Sequence, residues 1–115
     1  MNDTQHVQTI QEKLQTLKNR LLALDRMRPG SLSRQYNVCG KAGCRCKDPR
    51  KPKRHGPYYQ LNYVFRGKKT SQFIRAADAA AVRAELANFK KFRRFTHQWV
   101  GLALQRANLE LKSKA

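Results

Sequence analysis

The feature that most constrains this chain is a cluster of metal-ligand residue types in one short segment. Three cysteines and a histidine fall within seventeen residues with the spacing C-x4-C-x-C-x8-H, namely Cys39, Cys44, Cys46 and His55. Structural zinc sites take four tetrahedral sulfur or nitrogen ligands, and a Cys3His set is a closed site of that kind. A metal bound here would join the segment before Cys39 to the segment after His55. The spacing therefore predicts a structural Zn²⁺ site.

One alternative for the cluster is three reduced surface thiols beside a histidine that binds nothing. The odd number of cysteines, three, fits a closed disulfide framework poorly and favours reduced thiols or metal ligation. A catalytic zinc is not expected, because four protein ligands leave no coordination position for water.

The chain is strongly basic, and the charge is concentrated in its middle. Lysine and arginine total 25 against 7 acids, a net charge of +18. Residues 31–75 hold twelve basic side chains and one acid, a net charge of +11, whereas residues 1–30 carry +2 and residues 76–115 carry +5. A basic domain of this kind has the electrostatic character of a nucleic-acid-binding protein. We expect a polyanionic partner.

A dense basic run separates Cys46 from His55. Pro49 and Pro52 interrupt it, and proline is excluded from helix interiors, so we expect an extended arm held at both ends by the metal site. Such an arm would contact phosphates, which position a protein without reading sequence. The alternative is a solvated charge run that keeps the protein soluble. The predicted backbone contacts are Arg34, Arg45, Lys47, Arg50, Lys51, Lys53 and Arg54.

Two stretches have helical periodicity. Apolar residues from Val7 to Leu24 step by three and four, an a/d heptad stripe, which predicts a helix over residues 4–28 that ends before Pro29. From Ala76 the period is 3.6, which predicts a helix over residues 78–112. Its expected apolar stripe is Val82, Leu86, Phe89, Phe92, Thr96, Val100, Ala103, Ala107 and Leu111.

Between the helices the pattern favours strands. Residues 31–38 alternate loosely, and residues 58–65 alternate strictly between two faces. We expect a return strand over residues 69–75 after a three-residue loop, which would place Phe73 opposite Leu61 on the apolar face. The opposite face and the turn would then contact nucleic acid, including base edges in a major groove. Those residues are Gln60, Asn62, Arg66, Lys68, Lys69, Thr70 and Gln72.

Together these elements predict an α+β protein: a long N-terminal helix, a small zinc-stapled three-stranded antiparallel sheet, and a long C-terminal helix that packs as a coiled coil with the first. The corresponding segments are residues 1–30, 31–75 and 76–115. The heptad stripe can be covered within one chain or by a second copy, so a homo-oligomer or a coiled-coil partner is expected.

Several function classes are disfavoured. The seven acids are scattered singly, so no carboxylate pair or acidic trio suits general acid-base or two-metal chemistry, and no glycine-rich phosphate loop occurs. We do not expect an enzyme or a small-molecule substrate. No apolar run approaches the length of a membrane span, so we expect a cytoplasmic, nucleoid-associated protein with no membrane partner.

The strings PGSLS, CGKAGCRC and HGPYY, followed by a Gly-Lys turn, resemble the signature of an uncharacterised family of small basic prokaryotic proteins. The resemblance covers about residues 29–75 and implies an association with mobile elements, while implying no activity. With the charge pattern, it leads us to expect a double-stranded DNA-binding protein that acts as an accessory or regulatory factor of a mobile element. The alternatives are an RNA-binding protein whose tyrosines stack on bases and a coiled-coil interaction subunit of a larger nucleoprotein complex.

Overall fold

The computed structural model describes residues 3–37 and 40–113 and confirms the α+β class. In chain order the elements are α1 (Asp3–Leu22), β1 (Ser31–Asn37), a 3₁₀ turn (Arg45–Lys47), β2 (His55–Phe65), β3 (Lys68–Ile74), a second 3₁₀ turn (Ala76–Asp78) and α2 (Ala79–Ser113). They form two compact units. Residues 28–87 make up the sheet unit, and residues 1–27 with 88–115 make up the helix unit.

The sheet is antiparallel, with the strand order β1-β2-β3. Leu32 of β1 pairs with Leu61 of β2, and Tyr59 of β2 pairs with Ile74 of β3. Directly paired residues of antiparallel strands lie on the same face. These four side chains therefore share one face of the sheet.

The first turns of α2 cover that face. Leu61, Ile74, Val82 and Leu86 form the buried cluster of the sheet unit, and the fully buried Leu61 lies at its centre with 0% exposure. Burying a side chain of this size contributes about 1.5–3 kcal/mol. The cluster therefore fixes which residues of each strand face the helix.

The connection between β2 and β3 has two residues, so the expected three-residue loop is wrong. β2 ends at Phe65 and β3 begins at Lys68. The two loop residues, Arg66 and Gly67, have φ angles of 51° and 78°. Positive φ at both central positions defines the type I′ turn, whose twist matches that of the flanking strands. Glycine adopts this conformation without a steric cost.

This shorter loop shifts β3 by one residue and exchanges its two faces. Ile74 is buried at 6% exposure, whereas Phe73 is 64% exposed and Gln72 pairs with Leu61. Our expectation that Phe73 extends the apolar face is therefore wrong. Since side chains alternate along a strand, the uncovered face of the sheet, here called the open face, carries Ser31, Ser33, Gln35, Tyr58, Gln60, Asn62, Val64, Lys69, Ser71 and Phe73.

Helix α1 ends at Leu22 rather than at residue 28. The backbone that follows bonds to α2 instead of continuing the helix. Asn88 Nδ2 donates to the carbonyl of Arg26 at 2.9 Å. Within the sheet unit, the Arg28 N–H donates to the Glu85 carbonyl at 3.3 Å, and Arg28 Nε lies 3.2 Å from Glu85 Oε2.

In the helix unit, α1 runs antiparallel to the C-terminal part of α2. Leu17 of α1 lies near Leu102 of α2, and Ile10, closer to the N-terminus of α1, lies near Leu109 of α2. The Lys18 ammonium lies 5.3 Å from the centroid of the Trp99 ring. The predicted α1 stripe supplies the buried residues Ile10, Leu14 and Leu17.

The stripe of α2 differs from the expected one beyond Phe92. Val100 and Leu111 are 58% and 69% exposed, whereas Phe95 is buried. The less exposed positions after Phe95 are Thr96, Trp99, Leu102, Ala103, Arg106 and Leu109. Four of them, Trp99, Leu102, Arg106 and Leu109, step by three and four residues, which is the spacing of α1's own stripe. A single 3.6-residue period across all of α2 therefore misplaces Val100, Ala107 and Leu111, which are exposed, while Thr96 and Ala103 are half-buried as expected.

Candidate metal centre and basic loop

Three of the four predicted metal ligands lie together. The ligand atoms of Cys44, Cys46 and His55 are all within 4.8 Å of one another, and Cys44 Sγ lies 3.1 Å from His55 Nε2. Cys46 is buried at 2% exposure. These three residues can hold a metal ion. Cys39 lies outside the described residues.

Local backbone structure sets the positions of these side chains. Gly43, at φ 77°, forms the turn before Cys44, and the Cys44 N–H donates to the Lys41 carbonyl at 3.4 Å. Cys46 lies in the 3₁₀ turn that follows. His55 is the first residue of β2 and pairs with Asn37 at the end of β1. A loop turn therefore supplies the two sulfurs, and the N-terminal end of the central strand supplies the imidazole.

The arrangement fits a tetrahedral ion. Two thiolates and one imidazole are ligands that zinc prefers, and bond lengths of about 2.3 Å to sulfur and 2.0 Å to nitrogen place neighbouring ligand atoms roughly 3.5–3.8 Å apart. The distance from Cys44 Sγ to His55 Nε2, 3.1 Å, is shorter than that range. The upper limit on the distances among the three ligand atoms, 4.8 Å, is longer than that range. Small side-chain rotations would bring the ligand atoms to it.

The basic segment is a folded loop, and the extended arm expected from its prolines is wrong. The Lys53 N–H donates to the Arg45 carbonyl at 2.9 Å and closes the loop. Asp48 Oδ1 accepts hydrogen bonds from the backbone N–H groups of Arg50 at 2.9 Å and of Lys51 at 3.5 Å. The single acid of this segment is therefore used to shape the backbone.

The basic side chains of this loop form no ion pair with an acid of the described residues. Six of them are exposed, and the ion pairs formed within residues 3–37 and 40–113 include none of the six. We call this set the loop cations; its members are Arg45, Lys47, Arg50, Lys51, Lys53 and Arg54. Their charge is therefore not neutralised within the described part of the protein.

The register divides the predicted sheet contacts between the two faces. Gln60 and Asn62 lie on the open face, whereas Thr70 and Gln72 lie on the covered face, which corrects the expectation that all four share one surface. Lys69 lies on the open face opposite Val64. Arg66 lies in the turn, Lys68 pairs with Phe65, and Arg34 pairs with Tyr59 on the covered side.

Sequence reasoning missed the exposed aromatic ring of Phe73 on the open face. Its ring lies beside that of Tyr58, with centroids 6.4 Å apart and planes tilted by 53°. The signal was present in Arg66-Gly67, because a glycine at the second central position favours a two-residue hairpin loop. That loop length places Ile74 rather than Phe73 against Leu61.

The fold and the cluster define a class: a basic α+β protein in which a Cys-His cluster lies where the central strand of a three-stranded sheet begins. The chain belongs to the family described as a domain of unknown function (DUF6788), whose sequence model matches residues 7–84. That range contains the whole sheet, the cluster and the loop cations. This membership agrees with the expectation of an uncharacterised family.

No curated protein and no solved structure matched the chain. Among the described residues, no helix combines the length and the apolar character that crossing a membrane requires.

Proposed function

We propose that this protein binds nucleic acid through the phosphate backbone, with double-stranded DNA as the first ligand to test. The observation that carries the proposal is the set of loop cations, six exposed positive side chains on a folded loop with no ion pair among the described residues. Lysine and arginine contacts to phosphates release counterions, and this release supplies most of the affinity of non-specific binding.

The surroundings of the loop favour the same partner. None of the three strands contains an aspartate or glutamate, while β1 carries Arg34 and β3 carries Lys68 and Lys69. A polyanion can therefore approach the sheet unit along the strands without meeting an acid there, and the loop sets a single acid, Asp48, against the six loop cations. Potentials of one sign over a continuous surface raise association rates and local ligand concentration.

We further propose that the Cys-His cluster holds a structural Zn²⁺, with Cys39 as the fourth ligand. Support comes from the donor atoms of Cys44, Cys46 and His55 and from the pairing of His55 with Asn37, which precedes Cys39 by two positions in the chain. The ion would fix the loop between β1 and β2 and so hold the loop cations in place. Closed sites of this composition are structural.

A coiled-coil role for the helices is part of the same proposal. The stripe of α1 and the positions Trp99, Leu102, Arg106 and Leu109 of α2 both step by three and four residues, as the seam of a left-handed coiled coil does. Val100 and Leu104 of α2 remain 58% exposed, so a second copy has apolar surface available on that helix.

The experiment compares two charge-matched variants for binding to duplex DNA as the salt concentration is varied. Each replaces four exposed cations by glutamine and lowers the net charge of +18 by the same amount. The loop variant changes Arg50, Lys51, Lys53 and Arg54. The control variant changes Lys90, Lys91, Arg93 and Arg94 of α2, all exposed.

The loop variant should bind more weakly and with a shallower salt dependence than the control variant. On B-DNA each lost phosphate contact reduces the slope of log K against log salt concentration by about 0.9, so four contacts correspond to roughly 3–4 units. Equal effects of the two variants would show that only net charge matters. Absence of wild-type binding to duplex DNA, single strands and structured RNA would refute the proposal.

A further inference from the structure

The open face of the sheet combines exposed aromatic rings with amide groups. Binding of phosphates by the loop cations does not require either of them. Phe73 is 64% exposed and Tyr58 is 36% exposed, and their rings lie beside each other at 6.4 Å. Val64, on the same face, is 57% exposed. Exposed apolar side chains grouped on one uncovered face indicate a binding surface rather than a solvated one.

Amide groups beside these rings are held in place by their neighbours. Gln60 Oε1 accepts a hydrogen bond from Gln35 Nε2 at 3.2 Å, and Asn62 Oδ1 accepts one from the Ser71 hydroxyl at 2.6 Å. Both bonds use the amide oxygen. Within the described residues the two amide nitrogens, Gln60 Nε2 and Asn62 Nδ2, donate to no protein group, so they remain available to an acceptor on a ligand.

Positive charge lies at both ends of this face. His55, where β2 leaves the loop that carries the cations, is three residues from Tyr58, a rise of roughly 10 Å along a strand. At the other end Lys69 lies opposite Val64, next to the turn at Arg66. With no acid on any strand, a second copy of this chain or another basic protein would be repelled, whereas an anionic ligand with flat apolar groups would be attracted.

We propose that the open face binds unpaired nucleotides, with a base stacked on the Phe73 and Tyr58 rings and base edges facing Gln60 and Asn62. This inference rests on the proposed nucleic-acid binding and specifies that the bound nucleotides are unpaired. A duplex keeps its bases stacked on one another, so only unpaired bases can stack on an aromatic side chain. The loop cations contact the phosphates of the same strand.

The test measures binding of a mixed-sequence single strand, made as DNA and as RNA, alongside its annealed duplex and an abasic strand of equal length. Phe73→Ala removes the ring, and Phe73→Leu removes the ring while keeping an apolar side chain. The matched control is Phe65→Ala, because Phe65 is 59% exposed on the same hairpin but lies on the other face. A fluorescent adenine analogue in the strand reports stacking directly.

Both Phe73 variants should weaken single-strand binding by about tenfold to a hundredfold and abolish quenching of the adenine analogue. They should leave affinity for the duplex and the abasic strand unchanged, and Phe65→Ala should change none of these. The ratio of DNA to RNA affinity identifies which strand is preferred, and either supports the inference.

Three results would overturn the inference. One is unchanged single-strand affinity in both Phe73 variants while the loop variant still loses binding, which leaves the proposed function intact. Another is a loss of affinity for the duplex and the abasic strand that equals the loss for the single strand. Neither of these ligands offers an unpaired base, so the loss could not come from stacking on Phe73. The last is self-association of the wild type, seen by sedimentation, that Phe73→Ala abolishes, because the face would then be a protein interface.

Discussion

Replacing Ile74 and Phe73 separately by alanine tests the register of β3. The two residues are adjacent in sequence and lie on opposite faces of the sheet. With the observed two-residue turn, Ile74 is 6% exposed and packs with Leu61, Val82 and Leu86, while Phe73 is 64% exposed. A three-residue loop would reverse their positions.

The structure gives different magnitudes for the two losses. Ile74→Ala removes a buried side chain and leaves a cavity among its neighbours, which costs about 2–4 kcal/mol. Only about a third of the Phe73 surface is buried. Its removal should therefore lower the free energy of unfolding by at most about 1.5 kcal/mol, estimated from the buried area. The two variants should therefore differ by roughly 2 kcal/mol in free energy of unfolding.

Urea unfolding of the sheet unit supplies the measurement. All four tyrosines lie within residues 28–87, and the single tryptophan, Trp99, lies in the helix unit. Near-ultraviolet signals from tyrosine therefore follow the sheet unit, and Trp99 fluorescence follows the helix unit. With a slope of about 2 kcal/mol per molar urea, the middle of the usual range, Ile74→Ala should lower the tyrosine midpoint by about 1–2 M. A larger loss for Phe73→Ala than for Ile74→Ala would refute the register.

Two further predictions concern the helices and the metal. Leu17→Ala should destabilise the helix unit by about 2–4 kcal/mol, because Leu17 is 5% exposed, whereas Leu22→Ala at 84% exposure should cost under about 0.5 kcal/mol; equal losses measured through Trp99 fluorescence would contradict the packing of α1 on α2. His55→Gln should reduce bound zinc, measured by elemental analysis, and lower the melting temperature, while His97→Gln on the exposed side of α2 should do neither. Wild-type protein that contains well under one zinc per chain would refute the metal assignment.

Local periodicity was sufficient to predict the helices and strands. The three-residue step from Leu14 to Leu17 and the strict alternation around Leu61 can be read from neighbouring residues alone. All three leucines are buried, as predicted. The type and order of elements depend on the 3.6- and 2-residue periods, which need no knowledge of distant parts of the chain. The same holds for the cluster that could hold a metal ion, because Cys44, Cys46 and His55 are close in sequence.

The register of β3, the end of α1 and part of the α2 stripe depended on tertiary contacts. Ile74 and Phe73 are both apolar, and only the packing of β3 on α2 selects which one is buried. The end of α1 at Leu22 follows from hydrogen bonds between its connecting segment and α2. Arg26 and Asn88 are 62 residues apart in the chain, and Arg28 and Glu85 are 57 apart. The sequence by itself determined the type and order of the helices and strands, the grouping of Cys44, Cys46 and His55 in one short segment, and the concentration of positive charge between Cys46 and His55. The tertiary structure decided which faces of those elements are buried, because burial depends on the partner that covers them, and this choice left Phe73 exposed beside Tyr58.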